Sequence, residues 1–268
     1  MRIAEDLHLY FDEIPLWSAP FGLTLLEHIN YGTGMKVLDI GFGTGFPAIE
    51  IAGRLGKSST VYGIDLWEGG IERARQKAEY MKVKNLKLKY ASAEEIPFKH
   101  NFFDLIVSNN GINNVDDLEK TLEECFRVLK KTGQFVFTFN LPETMIEFYD
   151  EFEKVLNKFS LFEGIKKMKE HIFKMRKTPD YMKKKLTKAG FKNIKVYNNI
   201  FHYNFPDAES MLNYYPIREF FKPSWETIIP KNLITKIFKE VKTNLDKEFK
   251  NKNSITLSVP FVCVDCRK

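Results

Sequence analysis

VLDIGFGTGFPAIEIA, Val37 to Ala52, reads as a buried strand that passes into a helix through Gly41, Gly43 and Gly45. Glycine at each position lets the backbone turn sharply and lie close against a ligand, where a helix N-terminus offers free N–H groups. The spacing is G-x-G-x-G, with Phe46 where a dinucleotide fingerprint would put its last glycine, and Asp39 stands two residues before the first. A strand, turn and helix of this kind belong in an α/β sheet with a ligand cradle at the strand's carboxyl end.

A second anchor follows. TVYGIDLW ends a β-branched and aromatic run in Asp65, about 20 residues past the last glycine, where an adjacent strand delivers a carboxylate to ribose hydroxyls. Leu66 comes next and offers an apolar face for an adenine ring. Asp65 also reads as the N-cap of a helix over Glu68–Lys82, a role compatible with ligand binding.

Working outward, Pro20–Ile29 reads as a helix with Leu23, Leu26 and Ile29 facing inward. Strands and helices then alternate: Lys36–Ile40, Phe46–Leu55, Thr60–Asp65, Glu68–Lys82, Leu86–Tyr90, Asp104–Asn109, Asp116–Lys130 and Gln134–Asn140. That order implies a parallel sheet covered on both faces by right-handed crossovers. In Asp116–Lys130 an apolar stripe of Leu118, Leu122, Cys125, Phe126 and Leu129 predicts an amphipathic helix, with Gly133 placed to stop it. Past Asn140 the pattern predicts helices over Glu143–Arg176, a helix over Pro179–Ala189 ended by Gly190, and a strand over Asn193–Asn199. About two helices are expected in Phe205–Lys252, before a last strand over Ile255–Val264.

Three further segments complete a resemblance. ASAEEIPF (Ala91 to Phe98) is similar to a G-D-A-E-E-L-P-F segment, with Ser92 in place of the acid. FDLIVSNNGINNV (Phe103 to Val115) and RVLKKTGQFVF (Arg127 to Phe137) resemble the fourth motif and the helix-to-fifth-strand segment of the same family. With D-x-G-x-G-x-G they make the chain similar to class I S-adenosylmethionine (SAM)-dependent methyltransferases. The motif style is that of the type 11-like small-molecule members acting on quinones, sterols or arsenicals. The resemblance implies a Rossmann-like sheet of order 3-2-1-4-5-7-6 with the last strand antiparallel, and SAM held by Asp39, Gly41, Gly43, Gly45, Asp65, Leu66, Ser92, Ala93, Glu94 and Asn109. It implies a single methyltransferase domain over residues 1–268: an arm and helix in 1–34, a SAM-binding core in 35–140, helices and the sixth strand in 141–204, a helical lid in 205–254 and the last strand in 255–268.

In-line displacement at a sulfonium methyl asks the protein for alignment and exclusion of water. No general base is assigned. Tyr10 and Trp17 in the arm, and His202, Tyr203, Tyr214 and Tyr215 in the lid, are the candidates for the acceptor pocket, since an aromatic face stabilises a nearby cation. The arm Tyr10–Gly22 and the insertion Phe205–Pro230 are expected to close over the cofactor.

Composition bounds the alternatives. The chain has 268 residues and 44% hydrophobic content, with no apolar run near the roughly 20 residues of a membrane span and no secretory layout at MRIAEDLHLYFDE. A cytoplasmic protein is expected. The net charge is +6, but Lys outnumbers Arg by 33 to 8, whereas Arg is what forks onto phosphates and bases. Ten Lys or Arg residues between Lys166 and Lys188 keep an RNA methyltransferase in view, although such a run more simply makes the solvated face of helices. A non-catalytic SAM-binding regulator is the reading from another class. Cys263 and Cys266 form a C-x-x-C without a second ligand pair, and Cys125 lies on an apolar stripe, so no metal is expected. Gly56-Lys57-Ser58 follows a helix instead of opening one, with Ile51 where a Walker A loop needs glycine, which excludes nucleotide hydrolysis on that motif. The expected partner is a small-molecule methyl acceptor and not nucleic acid; neither its identity nor the oligomeric state can be read.

Overall fold

The computed structural model describes residues 15–250 and 254–268. By compactness the chain divides into two units: one holds the chain through Phe139 with Thr178–Asn199 and Phe261–Lys268, the other Asn140–Lys177 with Ile200–Pro260. What reads in sequence as one domain with insertions thus has a boundary at Asn140, the residue at which the SAM-binding core was expected to end.

The described chain starts in α1 (Pro15–Glu27), followed by β1 (Lys36–Ile40), α2 (Ala48–Leu55), β2 (Thr60–Asp65), α3 (Glu68–Tyr80), β3 (Leu86–Tyr90), β4 (Phe103–Asn109), α4 (Leu118–Val128) and β5 (Leu129–Asn140). Next come α5 (Ile146–Lys158), α6 (Phe162–Met175), α7 (Pro179–Ala189), β6 (Lys192–Phe205), α8 (Ala208–Asn213), α9 (Lys222–Glu226), α10 (Ile234–Glu248) and β7 (Ile255–Arg267). The strands form a seven-stranded sheet of order β3-β2-β1-β4-β5-β7-β6, as the resemblance implied. β1 pairs in parallel with β2 and β4, as do β2 with β3 and β4 with β5. The amide of Lys268 bonds to the Gly133 carbonyl and that of Leu141 to the Pro260 carbonyl, so β7 runs antiparallel to β5.

Position in the sheet follows from side-chain character. The central strand β1 is buried from Val37 to Ile40, as a strand covered on both faces must be. The edge strands β3 and β6 alternate partly buried and exposed residues, and Lys87 and Lys89 blunt the β3 edge against further pairing. In the first unit Leu25, Leu26 and Ile29 of α1 and its continuation pack with Val37, Phe42, Ile51, Val61, Leu105 and Val136 in one core. In the second unit Phe152 of α5 stacks on Phe238 of α10, and Trp225 is wholly buried.

Several expectations need correction. α1 begins before Pro20 and holds it internally, forfeiting one intrahelical hydrogen bond. Its buried face is Phe21, Leu25 and Leu26, with Phe21 against Phe261 at 4.6 Å, whereas Leu23 is 58% exposed. α4 ends at Val128 and the chain enters β5 at once, so Gly133 lies inside a strand instead of stopping a helix. β6 continues to Phe205, which puts His202 and Tyr203 in a strand and not in a lid. Among the described residues, the segment between β6 and β7 holds three α-helices, a π turn, Ile217–Phe221, and a 3-10 turn, Lys231–Leu233, where about two helices were expected. The helix Pro179–Ala189 has the expected bounds, Thr178 capping its start and Gly190, at φ 102°, ending it.

Candidate functional site

The three glycines of the β1–α2 turn all have positive φ, and each needs to be glycine for a different reason. A Cβ on Gly41 would lie 3.2 Å from the Cα of Gly111, so the turns after β1 and β4 cross backbone to backbone. A Cβ on Gly45 would lie 2.6 Å from Cδ1 of Ile49 and 3.2 Å from the Ala74 methyl, so this glycine lets α2 and α3 pack. A Cβ on Gly43 would meet nothing within 4 Å. Of the three, Gly43 alone opens onto free space, and that is where a ligand can approach the backbone.

Asp65 ends β2 beside this turn. Its carboxylate accepts the Gly43 amide at 2.7 Å and the Trp67 amide at 2.9 Å. Burial pushes its pKa up, opposed by the amides of Gly43, Trp67 and Leu66. Asp65 is not the N-cap of α3; that position is Trp67, without a side-chain cap bond. Trp67 instead lies over Gly70, whose Cβ would fall 2.6 Å from its ring, while Leu66 stays 56% exposed beside the acid.

Asp39 lies beneath the turn, wholly buried, and neither of its oxygens has a hydrogen bond of ordinary geometry. Burial, then the Asp65 charge, push its carboxyl up to about 8, with the Ala48 amide pulling the other way. The turn therefore rests on a carboxyl that stays protonated near neutral pH. Leaving it unpaired is costly, as is usual where a site is shaped for a ligand rather than for stability.

The remaining candidates are more engaged with the protein itself. Ser92 accepts the Glu94 amide at 3.1 Å in a local turn, its O–H still able to donate; Ala93 lies within the turn, half-buried. The Glu94 carboxylate accepts the Asp117 amide at 2.8 Å, next to the start of α4. Asn109, expected at the cofactor, donates to the Ser18 carbonyl at 3.1 Å and accepts from the Thr138 hydroxyl at 3.1 Å, so its amide fastens α1 and β5 to the end of β4. Asn110 takes the left-handed conformation that Asn-Gly favours in a turn. Arg127, read as structural, clamps the segment after β3 by donating to the carbonyls of Ile96 and Phe98 and pairing with Glu124. Sequence reasoning missed Gly111 and Gly70, whose only local signals were a turn dipeptide and a helical glycine.

Among the acceptor candidates, Tyr10 lies outside the described residues. Trp17 is in α1, its ring 5.6 Å from Phe21. In the second unit His202 is exposed on β6, Tyr203 and Tyr214 pack together at 5.6 Å, and Tyr215 lies under Arg218. Burial pushes the Tyr203 hydroxyl far above its ordinary range, so the phenol keeps its proton and is not available as a general base at neutral pH.

The basic run is divided between the two units. Lys166–Lys177 and Thr178–Lys188 fall in different units; Lys169 pairs with Glu153, and Lys185 and Lys188 both pair with Glu119. Cys125, Cys263 and Cys266 are free and buried, and burial pushes each thiol up, to about 12 for Cys263. Among the described residues no group of three or more His, Cys, Asp or Glu could hold a metal, and no helix is long and apolar enough to cross a membrane.

Comparisons with known proteins identify the family and the fold. A family model for a methyltransferase domain matches residues 32–190. The demethylmenaquinone methyltransferase of Bacillus mycoides is 35% identical over 115 residues, 43% of this chain and 48% of that protein. The chain thus spans about half the length of the curated relatives it matches. Among solved structures, the YcgJ protein of Bacillus subtilis aligns with a TM-score of 0.61 at 17% identity, over 93% of this chain and 98% of that one. Phosphoethanolamine N-methyltransferase 2 of Haemonchus contortus, solved with S-adenosyl-L-methionine, aligns with a TM-score of 0.57 at 20% identity, over 92% of this chain and 52% of that one. Likeness at these identities speaks for the fold.

Proposed function

The chain belongs to the methyltransferase domain family and has its class I fold, and from that premise we propose that it transfers a methyl group from SAM to a small-molecule acceptor. The observation that carries the reading is the turn itself: the open face of Gly43, with Asp65 at its amide and the unpaired carboxyl of Asp39 beneath it. The residues present fit the cofactor. The backbone of Gly41–Gly45 would cradle it, Asp65 would accept from ribose hydroxyls, and Leu66 with Ala93 would border an adenine.

When bound, SAM supplies an electrophilic methyl on a sulfonium that leaves as a neutral thioether. The chain contributes placement: Asp65 couples the ribose position to the Gly43 amide through one carboxylate, so alignment is set by groups already hydrogen-bonded to each other. The partial positive charge of the α2 N-terminus disfavours a cation directly over it, and the Asp65 carboxylate beside the turn compensates. No side chain of the turn is placed to remove a proton, so an acceptor that loses its proton after transfer suits this site.

Incubating the protein with isotopically labelled SAM and a metabolite extract tests the proposal. One or a few labelled small products are expected; labelled RNA and no labelled metabolite would reverse the reading. The turn offers a second check. Gly43→Ala should keep the fold at a cost of about 1–2 kcal/mol for the left-handed backbone, because there is room for the methyl, yet weaken SAM binding by blocking the open face. Gly45→Ala should do the reverse and lower the thermal midpoint more than the affinity of the folded fraction, since its Cβ strikes Ile49 and Ala74. Equal SAM affinity in Gly43→Ala and the parent would place the ligand elsewhere.

A further inference from the structure

We propose that Arg176 and Tyr149, in the second unit, form a binding site for a small carboxylate. The site lies within that unit and stands on its own geometry.

Arg176 follows α6 and is 5% exposed. Its Nη1 donates to the Thr144 carbonyl at 2.8 Å, its Nη2 lies 3.5 Å from the Tyr149 hydroxyl oxygen, and its guanidinium lies over the Tyr149 ring at 5.2 Å. Among the described residues it has no carboxylate partner. A buried guanidinium with five N–H donors, one good hydrogen bond and no counter-charge is an expensive arrangement; buried charges are otherwise paired.

Tyr149 supplies the second observation. It is 2% exposed, and its oxygen accepts from the Trp225 indole N–H at 2.9 Å as well as facing Arg176 Nη2. With that oxygen accepting from Trp225, the phenol proton remains to be donated, and among the described residues no acceptor for it is present. An anionic oxygen meeting both the remaining guanidinium N–H groups and the phenol O–H would complete both residues.

The charge count selects a monoanion. One guanidinium faces the position, and the imidazole of His171 adds no second charge at neutral pH, since burial and then the Arg176 and Lys174 charges push its pKa down. The planar fork of arginine matches a carboxylate bidentately. Trp225 stacks on Phe148 at 3.8 Å, both wholly buried in the packing beside Tyr149. A carboxylate monoanion fits a single guanidinium better than a phosphate dianion.

Calorimetric titration of the full chain with benzoate, with benzyl alcohol as the neutral analogue and inorganic phosphate as the dianion, is the test. Saturable benzoate binding is expected, with benzyl alcohol silent and phosphate weaker than benzoate. R176Q should lose at least tenfold in benzoate affinity, R176K several-fold because the fork is lost, and Y149F several-fold while keeping the charge. Circular dichroism and the thermal midpoint establish which variants fold; should R176Q fail, R176K and Y149F carry the comparison. No saturable benzoate binding by the parent, parent-like benzoate affinity in the folded variants, or preference for phosphate overturns the proposal. SAM titration of the same preparations separates the two readings: SAM binding without benzoate binding removes this one alone, and the converse removes the cofactor assignment alone.

Discussion

Asp65→Ala lowers SAM affinity by roughly ten- to a hundredfold, the value of about 1.5–3 kcal/mol for a hydrogen bond to a charged group. The size of the effect follows from what the carboxylate already does. Its two oxygens hold the Gly43 and Trp67 amides, so truncation would remove the proposed ribose acceptor and would release both amides of the turn. Asp65→Asn keeps the size and one acceptor oxygen, so it retains one of the two amides and loses the other, and a smaller loss is expected for it. Calorimetry on folded protein is the measurement, and an affinity in Asp65→Ala equal to the parent's would remove Asp65 from the site.

Asp39→Asn should remove a pH dependence of stability and raise stability at alkaline pH. The folded-state pKa of Asp39 is up at about 8 and the unfolded value is near 3.8, so between these the folded state holds a proton that the unfolded state has released. Stability contributed by this group is therefore fully present below about pH 4 and lost as pH rises toward 8, at about 1.4 kcal/mol per unit, with relaxation of the site reducing the sum. The amide copies the neutral carboxyl and cannot ionise. Chemical denaturation of parent and variant from pH 4 to 9 should show the difference growing toward pH 8, to several kcal/mol at most, and levelling beyond it. Groups common to both proteins cancel in that difference. A constant difference across the range would mean that Asp39 is ionised in the folded protein at neutral pH.

The sheet and its cradle were legible because they depend on short-range rules. Lys36–Ile40, Thr60–Asp65 and Leu86–Tyr90 have in the structure the bounds read from their apolar runs, and Gly190 ends α7 by the backbone freedom that marked it in sequence. The D-x-G-x-G-x-G run pointed to the β1–α2 turn, because a strand-to-helix turn with close backbone approach has few chemical solutions. Whatever needed distant residues to meet was decided only in the tertiary structure. That Gly41 is required by Gly111, and that Asn109 is spent on Ser18, 91 residues away, follows from which strand ends lie side by side. Leu23 faces out and Phe21 in because α1 packs on Phe261 of the last strand, a contact no local period encodes. Gly133 is drawn into β5 because hydrogen bonding across the sheet outweighs a glycine's local tendency to end a helix. Arg176 sat in a run of lysines that reads as a solvated face. Its burial against Thr144 and Tyr149 is a product of side-chain packing, and residue type along the chain carries no signal for which member of a basic run turns inward.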